Sequence, residues 1–500
     1  MQNSISLILL LLTVNLGAVN YYVSSSGSDS NNGTGLSTPF ASLTKGISVL
    51  QAGDVLYVRG GTYAYSAKIS LTKNGSSDNP IRLEAYQGEK VIVDFSSMST
   101  SSSNRGFSLS GDYWTIKGLH IHKAGDNGMF ISGNYNTIEQ CVFFANRDTG
   151  LQLGNGASNN NIINCDSYGN ADPTDYGDAD GFACKMDVGD NNYFYGCRAW
   201  LNVDDGWDGY LRGADDVNTT IENCWTWMNG YFLDGSDGGA SANGNGFKVG
   251  GSDDKTLMHN FTLINCVAFD NKSKGFDQNN NKGDMFFYNC TAYRNQGNNY
   301  SIPLALNTGK VAEVVNCIAI DGKINHGSFV LEQTNSWNGF SFANSDFISL
   351  DTTGVSGARQ ADGSLPDIDL FKLIEGSSMI DAGTDLGYAY QGDAPDLGAF
   401  ESEYGSTDIV DETENGMKLS LFSNPVYDHI ALRIESDWHV KAELQVIAIN
   451  GMVSHSQVLN VVPGGNEHRV DTQSLSHGLY LLVLKTDRVI YSRKIIVSNR

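Results

Sequence analysis

Between Asp180 and Lys248 three short segments share one pattern: an acidic or amide residue, a glycine and an aromatic. They are Asp180-Gly181-Phe182, Asp205-Gly206-Trp207 and Asn245-Gly246-Phe247. Asp204 and Asp208 flank the second segment, and Lys248 follows the third. Four carboxylates gathered in one place either stay partly protonated or hold a cation. Oxygen donors without histidine or cysteine favour Ca²⁺ over zinc or copper, and Mg²⁺ prefers fewer carboxylates and more water. A cation beside Lys248 lowers its pKa, and a neutral lysine is a competent general base. The alternative role for Lys248 is an ion-pair partner of Asp208 or Asp277. A cation that binds a carboxylate acidifies the neighbouring carbon, and an amine beside it can take that proton. This pairing suits β-elimination from a uronic acid polymer. Single Asp-Gly turns are common on protein surfaces, so only the assembled set points to a site.

The elements that must assemble it are repetitive. Cys141, Cys165, Cys197, Cys224, Cys266, Cys290 and Cys317 mark successive units, and five residues after the first six stand Asn146, Asn170, Asn202, Asn229, Asn271 and Asn295. Three residues after the same cysteines come Phe144, Tyr168, Trp200, Trp227, Phe269 and Tyr293. A short constant unit with inserts of variable length is the pattern of a solenoid, and strand-length segments between turns make it a β-solenoid. Coils then stack at about 4.8 Å. The cysteines read as a buried structural column, because no Cys-x-x-C pair suggests zinc. The asparagines read as a hydrogen-bonded column at a bend. Superposing Gly150, Gly181, Gly206, Gly246 and Gly275 stacks Asp180 on Asp205. It also brings Gln152, Ala183, Asp208, Lys248 and Asp277 into one file. The inserts Ala171–Ala179 and Gly230–Gly244 flank this stretch, where solenoid loops commonly form a binding face.

Composition sets the outer limits. With 56 glycines and 8 prolines in 500 residues the chain reads as all-β. A formal net charge of -24 disfavours nucleic acid, and would also repel an acidic sugar unless a cation inverts the local field. Residues 1–18 read as a secretory signal, and no later stretch is apolar enough to span a bilayer. Phe40, Leu43, Ile47 and Leu50 have helical spacing and predict a short helix capping the stack. Val55–Val58 and Ile81–Ala85 are the first strands expected. Ile368, Leu370, Leu373 and Ile374 suggest a short amphipathic turn or helix, and the Asp393–Gly398 turn leads into a last strand. The solenoid domain is therefore placed at 19–402, an acidic linker at 403–416, and a small β-sandwich at 417–500.

The motifs Ala179-Asp180-Gly181-Phe182, Asn202-Val203-Asp204-Asp205-Gly206-Trp207-Asp208 and Asn245-Gly246-Phe247-Lys248-Val249-Gly250-Gly251, in that order, resemble polysaccharide lyase family nine. The resemblance implies a right-handed parallel β-helix and a calcium-dependent pectate lyase, with Asp180, Asp204, Asp205 and Asp208 as calcium ligands and Lys248 as Brønsted base. Some members of that family cleave rhamnogalacturonan instead, and the insert 230–244 bears on that choice. The tail resembles a C-terminal sorting domain of the type nine secretion system, through Ser423-Asn424-Pro425-Val426, Asn450-Gly451, Leu475–Tyr480 and Lys494-Ile495-Ile496. That implies a secreted or surface-held protein. The expected partner is an acidic plant polysaccharide, homogalacturonan or rhamnogalacturonan, met by a monomer. Lys185, Arg198, Arg212, Asn245, Lys274 and Asp277 are candidates for substrate contact, with Lys272 and Arg294 in the same pool. Two rival readings stand: a polygalacturonase-type hydrolase, against which no Gly-His-Gly or Arg-Ile-Lys segment occurs, and a non-catalytic calcium-stabilised carbohydrate-binding solenoid.

Overall fold

A computed structural model describes residues 17–402, Tyr404 and most of 412–497. Residues 1–16 of the signal segment, the Ser423–Val426 motif and Asn450-Gly451 lie outside the described residues, as does most of the linker. Residues 20–333 wind into a right-handed parallel β-helix of three long sheets, with 12, 10 and 10 strands. One coil shows the pattern. Thr137–Glu139 lies in the first sheet, Val142–Phe144 in the second and Leu151–Leu153 in the third, before Asn161–Ile163 returns to the first. Every pairing between coils is parallel, so each coil leans only on its neighbours.

The corners explain the repeat. The residue before each cysteine must turn the chain from the first sheet into the second. It adopts the left-handed conformation at Asn164, Asn223, Asn265, Asn289 and Asn316, which asparagine tolerates better than most residues. Seven of the eight cysteines follow these corners, and all eight are buried free thiols. In six of these seven, all but Cys224, Sγ points to a carbonyl of the preceding coil, as in Cys197 to Ile162 O. At the next corner the asparagines form a continuous ladder. Each Nδ2 donates to the next Oδ1: Asn146 to Asn170 at 3.0 Å, Asn170 to Asn202 at 2.8 Å, Asn202 to Asn229 at 3.0 Å, then on through Asn271 to Asn295. These amides are buried, and the ladder satisfies groups that would otherwise be costly to desolvate. Inside the coil, Trp207, Phe247, Phe276 and Tyr300 stack at 4.8–5.2 Å, with Phe182 tilted against Trp207 at 4.8 Å.

The predicted cap is present. The α-helix Leu43–Val49 is opened by Ser42, whose hydroxyl accepts from Lys45 N at 3.2 Å, and buries Leu43, Gly46 and Ile47. Val55–Val58 and Ile81–Ala85 are strands as expected.

The far end differs from expectation. The last strand of the helix is Leu331–Gln333; of the amphipathic turn or helix expected at 368–374 the chain forms turns, and the expected closing strand is absent from residues 340–402. They form an irregular strap held by bridges such as Phe347 to Leu373. Its apolar residues Phe347, Leu370, Phe371 and Leu373 pack on Trp200, Trp225, Trp227 and Phe269, which project outward from the second sheet. The large residues from Tyr168 to Tyr293 thus form an aromatic file whose cover is the strap.

The tail has two four-stranded antiparallel sheets around one apolar core that includes Ile430, Leu432, Leu444 and Leu482. It is a β-sandwich. Among the described residues no helix is long and apolar enough to cross a membrane.

Candidate active site

The strand register sets the site. Gln152 pairs with Ala183, Ala183 with Asp208, Asp208 with Lys248, and Lys248 with Asp277, all on the outward file of the third sheet. The glycines stand one above another because a Cβ would not fit. At Gly181 it would lie 2.8 Å from Gly206 O, and at Gly206 2.6 Å from Gly246 O. The residue before each glycine is held in the same step, since Gly181 N donates to Asp205 O and Gly206 N to Asn245 O.

This places Asp180, Asp205 and Asp208 with a carboxylate oxygen each inside a 4.8 Å cluster. Asp180 Oδ1 accepts from the Asp205 backbone at 3.2 Å. Asp205 Oδ1 accepts from both the backbone and side-chain nitrogens of Asn245, at 2.8 and 2.9 Å. Asp205 Oδ2 is buried without a well-aligned hydrogen bond, and the Lys248 ammonium stands 3.0 Å from it. The same ammonium is 3.3 Å from Asp208 Oδ1. Asp204 is fully buried beside this cluster but outside its tight triad. The insert 230–244 pins it, with Asn243 N donating to Oδ1 at 2.6 Å.

The electrostatics are those of a cation site. Burial and the neighbouring carboxylates hold Asp180 well above the usual carboxylate range, against the pull of Lys185. Burial and Asp205 push Asp204 up to about 7. Burial also raises Asp205, against Lys248. Asp208 alone stays low, because Lys248 and Lys185 together outweigh its burial. Burial tends to lower Lys248, but Asp205 and Asp208 outweigh it and keep the amine protonated well above its ordinary value. The expected lowering of Lys248 therefore requires that the carboxylate charge be neutralised first. A buried, poorly satisfied Asp205 oxygen at the centre of an all-oxygen cluster fits a hard cation.

The other candidates divide. Asn245 orients Asp205, and Asp277 is buried next in file after Lys248, with Lys274 2.9 Å away. Arg212 is exposed at the turn after Asp208, paired with Asp253. Two candidates for substrate contact are corrected. Lys185 is 3 % exposed, and its Nζ lies 2.7 Å from Asp180 Oδ2 and 3.6 Å from Asp208 Oδ2. It balances charge beneath the carboxylates and is closed to a polymer. Arg198 lies on the second sheet, buried against Asp166 at 2.7 Å, and donates to Val355 O and Gly357 O of the strap. Lys272 anchors the insert through Asp237, and Arg294 pairs with Asp270. The sequence reading missed Asn243, which sits inside a Gly-rich insert with no repeat to align it. It also missed Thr149, which donates to Asp180 Oδ2 at 3.1 Å, although its place in the asparagine-or-aspartate slot before Gly150 marks it.

A right-handed parallel β-helix carrying an acidic ledge and a lysine on its third sheet is the class defined here. Residues 21–345 match the family described as Pel9A-like, right handed beta helix region, and residues 420–498 match the Secretion system C-terminal sorting domain. Pectate lyase L of Dickeya chrysanthemi is 39 % identical over 396 residues, covering 76 % of this chain and 90 % of that protein. Pectate lyase L of Paenibacillus polymyxa (strain SC2) is 38 % identical over 369 residues, covering 69 % and 80 %. The crystal structure of pectate lyase Pel9A superposes with a TM-score of 0.72 at 37 % identity, covering 77 % of this chain and 97 % of that one. A rhamnogalacturonan lyase structure gives 0.57 at 26 % identity, covering 71 % and 97 %. The chain belongs to the Pel9A-like β-helix family, and its tail is a C-terminal sorting domain that directs secretion.

Proposed function

We propose that this chain, a secreted pectate lyase by family, cleaves polygalacturonate by β-elimination with Lys248 as the base and Asp180, Asp204, Asp205 and Asp208 as the ligands of Ca²⁺. The contact that carries the reading is Lys248 Nζ at 3.0 Å from Asp205 and 3.3 Å from Asp208, beside an all-carboxylate cluster. When bound, the cation supplies Lewis acidity to the substrate carboxylate and lowers the pKa of its α carbon. Asp205 and Asp208, once neutralised, no longer hold Lys248 protonated. The free amine takes the proton from C5, the electron pair forms the C4–C5 double bond, and the glycosidic oxygen leaves C4 and is protonated by water. Asn245 and Lys185 keep the carboxylates in place through their contacts to Asp205 and Asp180. A cation on the ledge also reconciles a net charge of -24 with an acidic polymer.

The neutral amine is the working form, so the rate rises toward alkaline pH. The protein acts as a monomer with domains at 19–402 and 417–500, joined by the linker 403–416. A rhamnogalacturonan backbone is the second substrate reading, favoured by the 0.57 superposition on a rhamnogalacturonan lyase. The test is incubation with each polymer, with calcium and with a chelator, reading the near-ultraviolet absorbance of the unsaturated product. Product formation from polygalacturonate that survives thorough chelation removes the cation from the mechanism. Cleavage without that absorbance indicates a hydrolase.

A further inference from the structure

The file that holds Asp180 and Asp205 continues beyond them in both directions. Backbone bonds from Gly106 N to Asn127 O, Gly128 N to Thr149 O and Gly150 N to Asp180 O keep it in register back to Arg105. In the other direction Gly246 N bonds Lys274 O. The file therefore reads Arg105, Asn127, Thr149, Asp180, Asp205, Asn245, Lys274, with one cation at each end. The parallel file on the third sheet reads Phe130, Gln152, Ala183, Asp208, Lys248, Asp277.

Arg105 is built into the floor at the near end. Its guanidinium lies 3.5 Å from the centroid of Phe130, which is itself 4 % exposed. Its buried Nε is ion-paired with Asp126 Oδ2 at 3.5 Å, a separation too long for a good hydrogen bond. The side chain remains 30 % exposed. Nε faces Asp126 and is closed to a ligand, so a planar carboxylate would meet the outer nitrogens of this stacked guanidinium, with little side-chain entropy left to lose on binding. Between Arg105 and the ledge the floor carries amides and a small residue: Asn127 donates to Gln152 at 3.1 Å, and Ala183 follows.

We propose that Arg105 is a specificity-determining residue that binds a uronate carboxylate of the polymer at a distance from the scissile bond. It stands four coils from Asp205, or about 19 Å at the usual strand spacing. A short oligomer seated on the ledge does not reach it, whereas a longer one lying along the coils does. This inference rests on the polygalacturonate reading above.

The experiment compares the wild type, Arg105→Gln and Arg105→Lys on tri- and octagalacturonate with calcium. Binding of the octamer is measured in a Lys248→Ala background, where turnover does not interfere. In Arg105→Gln the octamer-to-trimer ratio of kcat/KM is expected to fall by about tenfold, the size of one charge-assisted hydrogen bond, with a parallel loss in octamer affinity. Arg105→Lys should recover part of both, which a merely structural role for the side chain would not predict. An unchanged ratio in a folded Arg105→Gln protein, or an equal loss on both oligomers, overturns the inference while leaving the lyase reading intact. A wild type that neither binds nor cleaves either oligomer overturns the lyase reading, and this inference falls with it.

Discussion

Replacing Lys248 with methionine should move two observables in opposite directions. The methionine keeps most of the length and removes the ammonium that stands 3.0 Å from Asp205 and 3.3 Å from Asp208. Loss of a general base lowers turnover by about 10²–10⁴-fold. The same change takes away a positive charge that competes with the cation for those two carboxylates. Unit charges about 4 Å apart interact by roughly 4 kcal/mol at an effective dielectric of about 20. Halving that for water entry and relaxation leaves roughly 2 kcal/mol, or about thirtyfold tighter calcium binding. Calorimetric titration of the stripped protein with calcium reads the affinity, and absorbance of the unsaturated product reads the rate. A folded variant that retains turnover removes Lys248 from the chemistry. A variant that loses turnover but binds calcium no more tightly shows that amine and cation do not share oxygens, and the ledge would have to be redrawn.

Other perturbations test the frame. Asp166 is buried between Arg198 at 2.7 Å and Arg359 at 2.6 Å, so Asp166→Asn strands two buried cations and should cost about 3–5 kcal/mol, read by denaturant titration and by faster proteolysis within 340–402. Burial raises the Asp166 carboxyl, but the two arginines outweigh it and hold it below the usual range. Its stabilising effect is therefore complete above the unfolded value of about 3.9 and lost as pH falls through the lower folded value, so Asp166→Asn should flatten the acid limb of the stability curve. Asn202→Ala removes both a donor to Asn229 and an acceptor for Asn170, and should lower stability by about 1–3 kcal/mol, measured as a drop in Tm. All eight cysteines are buried, so a thiol reagent should label the native protein slowly and the denatured protein at all eight.

Much of the ledge was legible because a solenoid converts sequence spacing into distance. Each coil contacts its neighbours, so aligning Gly181, Gly206 and Gly246 was enough to pair Asp208 with Lys248. The cysteine and asparagine columns followed from the same alignment. What escaped lies where no repeat operates. The strap 340–402 has no period of its own, and Arg198 meets it at Val355, a contact between residues 157 apart in sequence. Lys185 looked like a cation for substrate because its position gives no hint that the chain turns it back under Asp180. The outward Trp200 and Trp227 read as part of the repeat, yet nothing in their spacing revealed that a later segment covers them.

Distributing the ledge over consecutive coils also sets how this molecule can change in length. Duplicating a whole coil ahead of Asn127, or beyond Asp277, would add a step to the trough and leave every ligand beside its present neighbour. Duplicating the coil that carries Asp205 and Asp208 would lift Lys248 away from one copy of them by a full strand width. Growth at the two ends therefore tunes how long a polymer is gripped, while the middle three coils are frozen as a unit.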